Sequence, residues 1–218
     1  MTTANFQRAR KPAERALRRE AILSAAAALF DAEGPAAAGL NAIAAKAGFT
    51  KSNVYRYFES REAVLINLFL DEFDQMVGAL ERNLAICPVG DLQAVAKICT
   101  EQFLTRPRFC RLMSMLSSVL EDNVSEALII SLKRAIRALS GRVAIALNRA
   151  LPEIPLADSG WIAGMIATLV AGLWPGAYPN PVTAKVMAMP EFAGLKPDAD
   201  RDLERAILVM LKGIRETP

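Results

Sequence analysis

The sequence predicts an all-α protein with a small helical head followed by a larger helical body. The chain of 218 residues is 53% hydrophobic and 22% charged, which favours a globular protein over a disordered one. Alanine and leucine dominate, runs of β-branched residues are few, and strand-like alternation is absent from the sequence. Apolar residues instead recur at helical spacing, and glycine and proline separate the helical stretches.

The first helix is predicted to run from about residue 13 to Glu33. Gly34 and Pro35 end it. Residues 1–12 are rich in basic side chains and are expected to form a disordered basic arm. Five apolar residues of the helix recur at the spacing of a single helix face: Ile22, Ala25, Ala26, Leu29 and Phe30.

Two short helices follow, and the tight turn between them indicates a helix-turn-helix motif. The second helix is predicted over residues 40–47. Gly48 supplies the permissive backbone that the turn requires. Thr50 is placed to cap a third helix, which ends near residue 59.

The body is predicted to consist of longer helices joined by breaks that contain proline. Ser60 is placed to cap a fourth helix with a continuous apolar stripe. Residues 175–199 contain five prolines and are expected to form a long irregular connection with room for one short helical piece. The predicted helices cover residues 61–85, 91–105, 107–121, 125–150, 157–174 and 200–215. The expected domains are the arm (1–12), a helix-turn-helix domain (13–60) and a helical body (61–218).

Positive charge is concentrated at the start of the chain. Ten basic and six acidic residues lie within residues 1–62, although the whole chain carries a formal charge of only +3. A basic head on a nearly neutral body is typical of a protein that binds a polyanion. A solvated tail explains the same charge pattern, and both interpretations hold if the arm becomes ordered on DNA.

The cysteine and histidine content argues against metal binding and against most enzyme chemistry. The chain has three widely spaced cysteines, no histidine and no signal peptide pattern, which is typical of a reduced cytoplasmic protein. The cysteine spacing matches no zinc motif. The sequence also lacks a glycine-rich phosphate loop and a serine-centred elbow, which disfavours a small α-helical enzyme. No metal and no cofactor are expected.

One apolar stretch raises the question of a membrane span. Residues 159–184 carry no charged side chain, but the helix in this stretch is expected to end at Trp174 because Pro175 follows. That length is too short for a bilayer, which requires about 20 apolar residues. A buried helix, and no membrane contact, is therefore expected.

The outer side of the third helix carries the groups that best explain DNA binding. Lys51, Ser52 and Arg56 lie roughly along one face and are placed to enter a major groove together. Two tyrosines flank that face, and an arginine follows at the start of the next helix; their hydroxyl and guanidinium groups suit phosphate contacts. Each residue taken singly is equally an ordinary solvated side chain, and the tyrosines also suit packing in a small core. The combination is more specific than its members.

The run IAAKAGFTKSNVYRYFESREAVL resembles the N-terminal DNA-binding domain of the TetR family of transcriptional regulators, and FDAEG at the end of the first helix fits the same pattern. The resemblance covers about residues 14–70. It implies a homodimer that binds a near-palindromic DNA operator and usually represses transcription. By position, residues 50–53 would lie at the groove, with Tyr55, Tyr57 and Arg61 on phosphates. The residues expected to contact DNA are Arg15, Arg18, Asn41, Thr50, Lys51, Ser52, Asn53, Tyr55, Arg56, Tyr57 and Arg61.

Two residues depart from the family pattern. Gly39 stands where a threonine commonly caps the second helix, and Asn41 replaces what is often a basic residue. Both changes are expected to weaken phosphate anchoring at the start of that helix. The basic arm is expected to offset this loss.

The resemblance also implies a pocket in the body, expected among the helices between residues 91 and 174. Few charged residues fall in these runs, so the expected effector is small and apolar or weakly polar. Plain core packing is the competing interpretation for every one of these side chains. The candidate lining residues are Gln102, Phe103, Phe109, Met113, Leu116, Ser117, Leu120, Asn148, Trp161, Met165 and Thr168.

The resemblance further implies that the body is a ligand-binding and dimerisation domain (61–218), whose last two long helices pair with their symmetry mates as a four-helix bundle. The final helix carries an apolar stripe, and the helix before it is apolar nearly all round and so needs burial on all sides. A body that only dimerises or contacts another protein, without a small-molecule effector, is the alternative. The expected dimer residues are Trp161, Met165, Leu169, Leu203, Ile207, Met210, Leu211 and Ile214.

Overall fold

The computed structural model describes the backbone of residues 3–192 and 194–216, and the side chains from residue 12 onward within those ranges. Over this part of the chain the fold is helical and contains no strand, which confirms the all-α prediction. The helices are α1 (Thr3–Glu33), α2 (Leu40–Lys46), α3 (Lys51–Tyr55), α4 (Arg61–Ala85), α5 (Leu92–Leu104), α6 (Pro107–Met115), α7 (Glu126–Ala150), α8 (Leu156–Ala177), α9 (Pro181–Met187) and α10 (Ala199–Glu216).

The head consists of α1, α2 and α3 around a shared apolar core. Ile22 and Phe30 of α1, Ile43 of α2 and Val54 of α3 are at most 1% exposed. Gly48 joins α2 to α3 with a φ of 73°, a left-handed conformation that glycine adopts at little steric cost. The predicted glycine turn is therefore confirmed.

The first helix begins earlier than the sequence indicated. A disordered arm was expected over residues 1–12, whereas the backbone is helical from Thr3. Residues 3–12 include two alanines, two arginines, one lysine and one glutamine, which have high helix propensity, and Pro12 stands inside the helix without ending it. Residues 1 and 2, and the basic side chains up to residue 11, lie outside the described part of the chain.

α4 connects the head to the body. The hydroxyl of Ser60 caps it by accepting a hydrogen bond from the Ala63 N–H across 3.0 Å. Along its length α4 packs first against α1 and then against α5, α6 and α7. Arg142 of α7 fixes the last of these contacts, because its guanidinium donates to both carboxylate oxygens of Glu81 at 2.9 and 2.7 Å and to Asp74 at 2.6 Å.

Four phenylalanines form the centre of the body. The ring of Phe109 lies 5.4 Å from that of Phe69, 5.5 Å from that of Phe73 and 6.2 Å from that of Phe103, measured between centroids. Aromatic pairs at these distances are stabilised beyond the burial of their area. The cluster joins α4, α5 and α6 into one packed unit.

The helix predicted over residues 107–121 is divided in the structure. α6 ends at Met115, and the next turn is wider than an α-helix. The Glu121 N–H donates to the carbonyl oxygen of Leu116, five residues earlier, across 3.1 Å. Such π turns are rare and frequently occur at functional sites.

α8 is longer than predicted because Pro175 does not end it. A proline removes one backbone hydrogen bond, and here it stands in the last turn, where the Tyr178 N–H still bonds to the Trp174 carbonyl across 2.9 Å. The resulting helix of 22 residues is long and apolar enough to cross a membrane by length and composition alone. It packs against α6, α7 and α10, as a helix of the body does.

The connection between α8 and α10 contains one short helix, α9, and a 3₁₀ turn at Pro190–Phe192. An irregular connection with one short helical piece was expected. Neither piece buries a residue in the protomer. The segment therefore adds little to the core.

Candidate nucleic-acid interface

The turn between α2 and α3 is fixed by local hydrogen bonds. The Gly48 N–H donates to the Ala45 carbonyl across 3.2 Å. Thr50 then caps α3, because its Oγ1 accepts from the Asn53 N–H at 3.3 Å and lies 3.1 Å from the hydroxyl of Ser52. Side chains of this type satisfy backbone donors that a helix start leaves unpaired.

α3 has a buried side and a solvent side. Val54 is 0% exposed and Phe58, just beyond the helix, is 4% exposed. Lys51, Ser52 and Arg56 are all exposed to solvent. The residues expected to enter a major groove therefore lie on the open side of the motif. The helix itself is shorter than the predicted 50–59 and ends at Tyr55.

The two flanking tyrosines differ in their surroundings. Tyr55 is 49% exposed, and the Nζ of Lys51 lies 5.8 Å from the centroid of its ring. Tyr57 is half-buried, with the guanidinium carbon of Arg15 5.9 Å from its ring centroid. Neither tyrosine hydroxyl has a hydrogen-bond partner among the described residues. Both are free to donate to a phosphate, and Tyr57 also positions Arg15 beside the motif.

Arg61 directs its guanidinium into the head. Its Nε donates to the Ala38 carbonyl across 3.1 Å, and its terminal nitrogens contact the Pro35 carbonyl and the Glu62 carboxylate. The side chain is only 26% exposed. These contacts connect the 3₁₀ turn before α2 to α4, and the phosphate contact that the sequence suggested for Arg61 stays a prediction.

Two neighbouring arginines of α1 serve different purposes. Arg18 pairs with Glu14 at 2.5 Å, and both side chains are at least half exposed, so the pair adds little stability. Arg19, which the sequence did not single out, lies over the ring of Phe58 at 5.6 Å and donates to Asn67 of α4. The packing of α1 against the rest of the head decides which of the two arginines is exposed, and no sequence signal distinguishes them.

The start of α2 lacks a side-chain cap. Gly39 occupies the N-cap position with an extended backbone of φ −77° and ψ 153°. A Cβ built at this glycine meets nothing within 4 Å, so a larger residue fits. Asn41, two residues later, is exposed and remains available to a phosphate.

The body contains an apolar cavity of about 160 Å³ between α4, α5, α6, α7 and α8. Four of the predicted lining residues border it: Gln102, Phe103, Met113 and Leu116. Four residues of α4 also border the cavity but were not predicted, because in the sequence they form an ordinary apolar stripe. They are Phe69, Phe73, Met76 and Leu80.

Gln102 is the most informative polar group of the cavity. It is 5% exposed, and its Oε1 accepts a hydrogen bond from Arg106 across 3.0 Å. Its amide nitrogen has no partner among the described residues. Gln102 therefore offers the two N–H donors of its amide to a ligand in a largely apolar space.

Seven predicted lining residues do not border the cavity. Helical periodicity shows which side chains share a face, but not which neighbour that face meets. Asn148, for example, donates to the Ile154 carbonyl at 2.7 Å, and Thr168 donates to the Gly164 carbonyl at 2.9 Å. The residues placed elsewhere are Phe109, Ser117, Leu120, Asn148, Trp161, Met165 and Thr168.

The predicted dimer residues divide into two groups. On α8, Trp161 is 52% and Leu169 39% exposed, and Met165 is half-buried. On α10, Leu203, Ile207 and Leu211 are at most 3% exposed, because α10 packs them against α5 and α8 of its own protomer. Those three are core residues and not interface residues. The partly buried Met210 and Ile214 remain available, and Val209, 61% exposed, was not predicted.

The cysteines are free thiols with little reactivity. Burial raises the pKa of Cys99 and of Cys110 to about 12, and it also raises the pKa of the half-buried Cys87. Because the thiolate is the reactive form, all three are protonated at neutral pH. Cys99 borders the apolar cavity, where it behaves as a small apolar side chain.

The fold and the exposed motif define a helix-turn-helix regulator with a separate helical body. Residues 22–68 match the model for bacterial regulatory proteins of the tetR family, and residues 70–218 match the model for the tetracyclin repressor-like C-terminal domain. The chain belongs to the TetR family of transcriptional regulators. It is therefore a DNA-binding regulator and not an enzyme.

Three relatives illustrate the range of similarity. A transcriptional regulator from Rhodococcus sp. RHA1 is 15% identical over 92% of this chain and 99% of its own, with a TM-score of 0.60. SmeT, the repressor of the Stenotrophomonas maltophilia multidrug efflux pump SmeDEF, is 25% identical over 89% of each chain, with a TM-score of 0.54. An uncharacterized HTH-type transcriptional regulator of Mycobacterium tuberculosis is 51% identical over 43 residues, which is 20% of this chain and 21% of that protein.

Proposed function

We propose that this regulator is a ligand-responsive repressor that binds a near-palindromic operator as a homodimer in the cytoplasm. The observation that carries the proposal is the solvent side of α3, where Lys51, Ser52 and Arg56 are exposed beside the capped turn at Thr50. These side chains carry hydrogen-bond donors that can pair with acceptors on the base edges in the major groove.

Contacts to DNA divide into those that specify and those that position. Lys51, Ser52 and Arg56 are proposed to read base edges, with Thr50 and Asn53 beside them. The flanking groups are proposed to hold phosphates, since hydroxyl, amide and guanidinium donors suit phosphate oxygens. They are Arg15, Arg18, Asn41, Tyr55 and Tyr57.

The dimer proposal rests on apolar side chains that the protomer leaves open. Trp161 and Leu169 of α8 and Val209 of α10 are 52%, 39% and 61% exposed. Large aromatic and aliphatic groups of this kind, exposed on two long helices that pack together, suit a helical interface. Two heads related by a two-fold axis would then meet half-sites about 34–36 Å apart, or a multiple of that distance.

The effector proposal rests on the cavity between α4 and α8. Its volume of about 160 Å³ is close to that of an engineered cavity of about 150 Å³ that binds benzene. We infer an uncharged effector with one ring or a short chain, whose polar group pairs with the side-chain amide of Gln102. Such an effector weakens operator binding only if it binds more tightly to a dimer conformation whose head spacing does not match the operator.

A cavity-filling variant tests this effector class, with indole as the probe. Ser140 borders the cavity, whereas Ser131, also on α7, is exposed. Indole should raise the melting temperature of the wild type and of Ser131→Leu, but not of Ser140→Leu. Saturating indole should also weaken operator binding. No response to indole, or an equal response in both variants, would favour a body that only dimerises or contacts another protein.

A further inference from the structure

A second cleft lies where the head meets the body, apart from the apolar cavity. Its volume is about 540 Å³, and it is bordered by the end of α1, the start of α6 and the end of α8. Three arginines of one segment line it: Arg106, Arg108 and Arg111. Two carboxylates, Asp31 and Glu72, also line it.

One of the three arginines contacts both carboxylates. The Nε of Arg108 donates to Glu72 across 2.8 Å, and a terminal nitrogen of the same guanidinium donates to Asp31 across 2.9 Å. Three arginines against two carboxylates leave the cleft with a net charge of +1, and neither Arg106 nor Arg111 forms an ion pair within the described part of the chain. An excess of positive charge at a partly enclosed site favours an anion.

The two remaining guanidinium groups have free donors. One terminal nitrogen of Arg106 donates to the carbonyl and the side-chain oxygen of Gln102, both at 3.0 Å. Its Nε and its other terminal nitrogen have no partner among the described residues. Arg111 is half-buried, and within the described part of the chain it has neither an ion pair nor a hydrogen bond. Guanidinium groups of this kind bind carboxylate and phosphate through paired hydrogen bonds.

A buried residue with an unpaired donor also borders the cleft. Trp174 borders it and is only 6% exposed, yet its indole N–H has no hydrogen-bond partner among the described residues. Fully enclosed side-chain atoms without a partner occur there only at Thr100 and Ser159, so the indole nitrogen keeps some accessible surface. A buried indole N–H usually finds an acceptor, and an anion in the cleft supplies one.

We propose that this cleft binds a small organic anion, namely a carboxylate or phosphate monoester that carries a ring or a short apolar group. Arg111 and the free donors of Arg106 hold the charged end, together with the Trp174 N–H. The ring of Trp174, whose centroid lies 4.2 Å from that of Tyr178, packs against the apolar end with Phe30.

The position of the cleft connects the two parts of the molecule. Arg106 also holds Gln102 of the apolar cavity, and Arg108 holds Asp31 of α1 in the head. Asp198 and Asp200 add negative charge near Tyr178, which places the anion toward the arginines and away from that side.

The fluorescence of Trp174 reports directly whether a ligand occupies the cleft. The chain has two tryptophans, so the full-length Trp161→Phe variant reports on Trp174 alone. Phenyl phosphate, added at constant ionic strength, should produce a saturable change in its fluorescence. Phenol should bind at least about tenfold more weakly, since it lacks the charge-assisted hydrogen bonds.

Matched arginine variants locate the site. In the same background, Arg111→Gln should weaken phenyl phosphate binding by about tenfold or more, whereas Arg137→Gln, an exposed position on α7, should leave it unchanged. An absent response, an equal response to phenol, or equal binding by the two arginine variants would overturn the proposal. The test contains no DNA, so its failure leaves the operator proposal intact, and the reverse also holds.

Discussion

The Nε of Arg61 donates a hydrogen bond to the carbonyl oxygen of Ala38 across 3.1 Å. This bond joins the first turn of α4 to the segment that leads into α2. Ala38 is fully buried, and its carbonyl has no other hydrogen-bond partner among the described residues. The arginine that the family pattern places on a phosphate thus sets the position of the helix-turn-helix relative to α4.

Replacement of Arg61 by alanine should destabilise the head. The loss leaves the Ala38 carbonyl without a partner, which costs about 1–3 kcal/mol, and urea unfolding followed by circular dichroism measures it. Arg61→Lys should recover only part of this stability, because an ammonium group lacks the planar fork that reaches both Ala38 and Pro35. Arg18→Ala, which removes an exposed pair, is the control and should change stability by less than about 1 kcal/mol. Equal losses in Arg61→Ala and Arg18→Ala would contradict this assignment.

Replacement of Lys51 by alanine should weaken operator binding and relax the preference at one base position. A base contact of this kind is worth about 1–3 kcal/mol. Tyr55→Phe should instead weaken binding to all DNA sequences equally. It should leave the dependence of affinity on salt concentration unchanged, because it removes a hydrogen bond to a phosphate but no charge. Fluorescence anisotropy titrations over a range of salt concentrations separate the two effects. Arg134→Ala, an exposed position on α7, should have no effect, and the assignment of Lys51 fails if its variant keeps the full base preference.

Two glycines of the head should respond to threonine in opposite directions. Gly39 has an extended backbone and open space around it, so Gly39→Thr should raise the free energy of unfolding by about 0.5–1 kcal/mol through a new cap and a less flexible unfolded chain. Gly48 has a φ of 73°, so Gly48→Thr should lower it by about 1–3 kcal/mol. Thermal unfolding compares the two variants, and effects of the same sign would contradict the described turn.

Thiol labelling should distinguish the three cysteines. Iodoacetamide at pH 8 should modify Cys87 before Cys99 and Cys110, because burial holds the pKa of the latter two at about 12. Mass spectrometry of the native protein should therefore show one modified thiol, and unfolded protein should show three. Cys99 and Cys110 bind their protons more tightly in the folded state than in the unfolded state. Their contribution to the free energy of unfolding is therefore complete below the ordinary thiol pKa and declines as the pH rises toward 12. Early labelling of Cys99 would show that the cavity is open to solvent.

Charged substitutions on the open faces of α8 and α10 should separate the protomers. Trp161→Asp and Val209→Asp place a carboxylate where the proposed interface excludes water. Sedimentation equilibrium should show a shift from dimer to monomer for both. Ile86→Asp is the control, since Ile86 is 84% exposed and lies outside both helices. A dimer that persists in both α8 and α10 variants would place the interface elsewhere.

Local signals in the sequence predicted the head well. Glycine at position 48, threonine at 50 and serine at 60 act through their immediate neighbours, and the structure shows all three as expected. Arg18 and Arg19 show the limit of such signals, because only tertiary packing turns one outward and the other onto Phe58.

The body was predicted less completely, because its features depend on contacts between distant helices. The stripe of α10 was correctly recognised as apolar, but Leu203 and Ile207 face the protomer's own core. Pro175 was expected to end α8, yet a proline in the last turn removes only one hydrogen bond. The α4 wall of the cavity had no sequence signal that separates it from core packing.

In vitro selection from a randomised DNA library tests the central claim most directly. Full-length protein should enrich one near-palindromic sequence that binds two chains, with half-site centres about 34–36 Å apart or a multiple of that distance. A variant with Lys51→Ala and Arg56→Ala together should enrich no such sequence while its circular dichroism spectrum stays helical. A library without enrichment, or the same palindrome recovered by the double variant, would contradict the proposal that α3 reads an operator for a dimer.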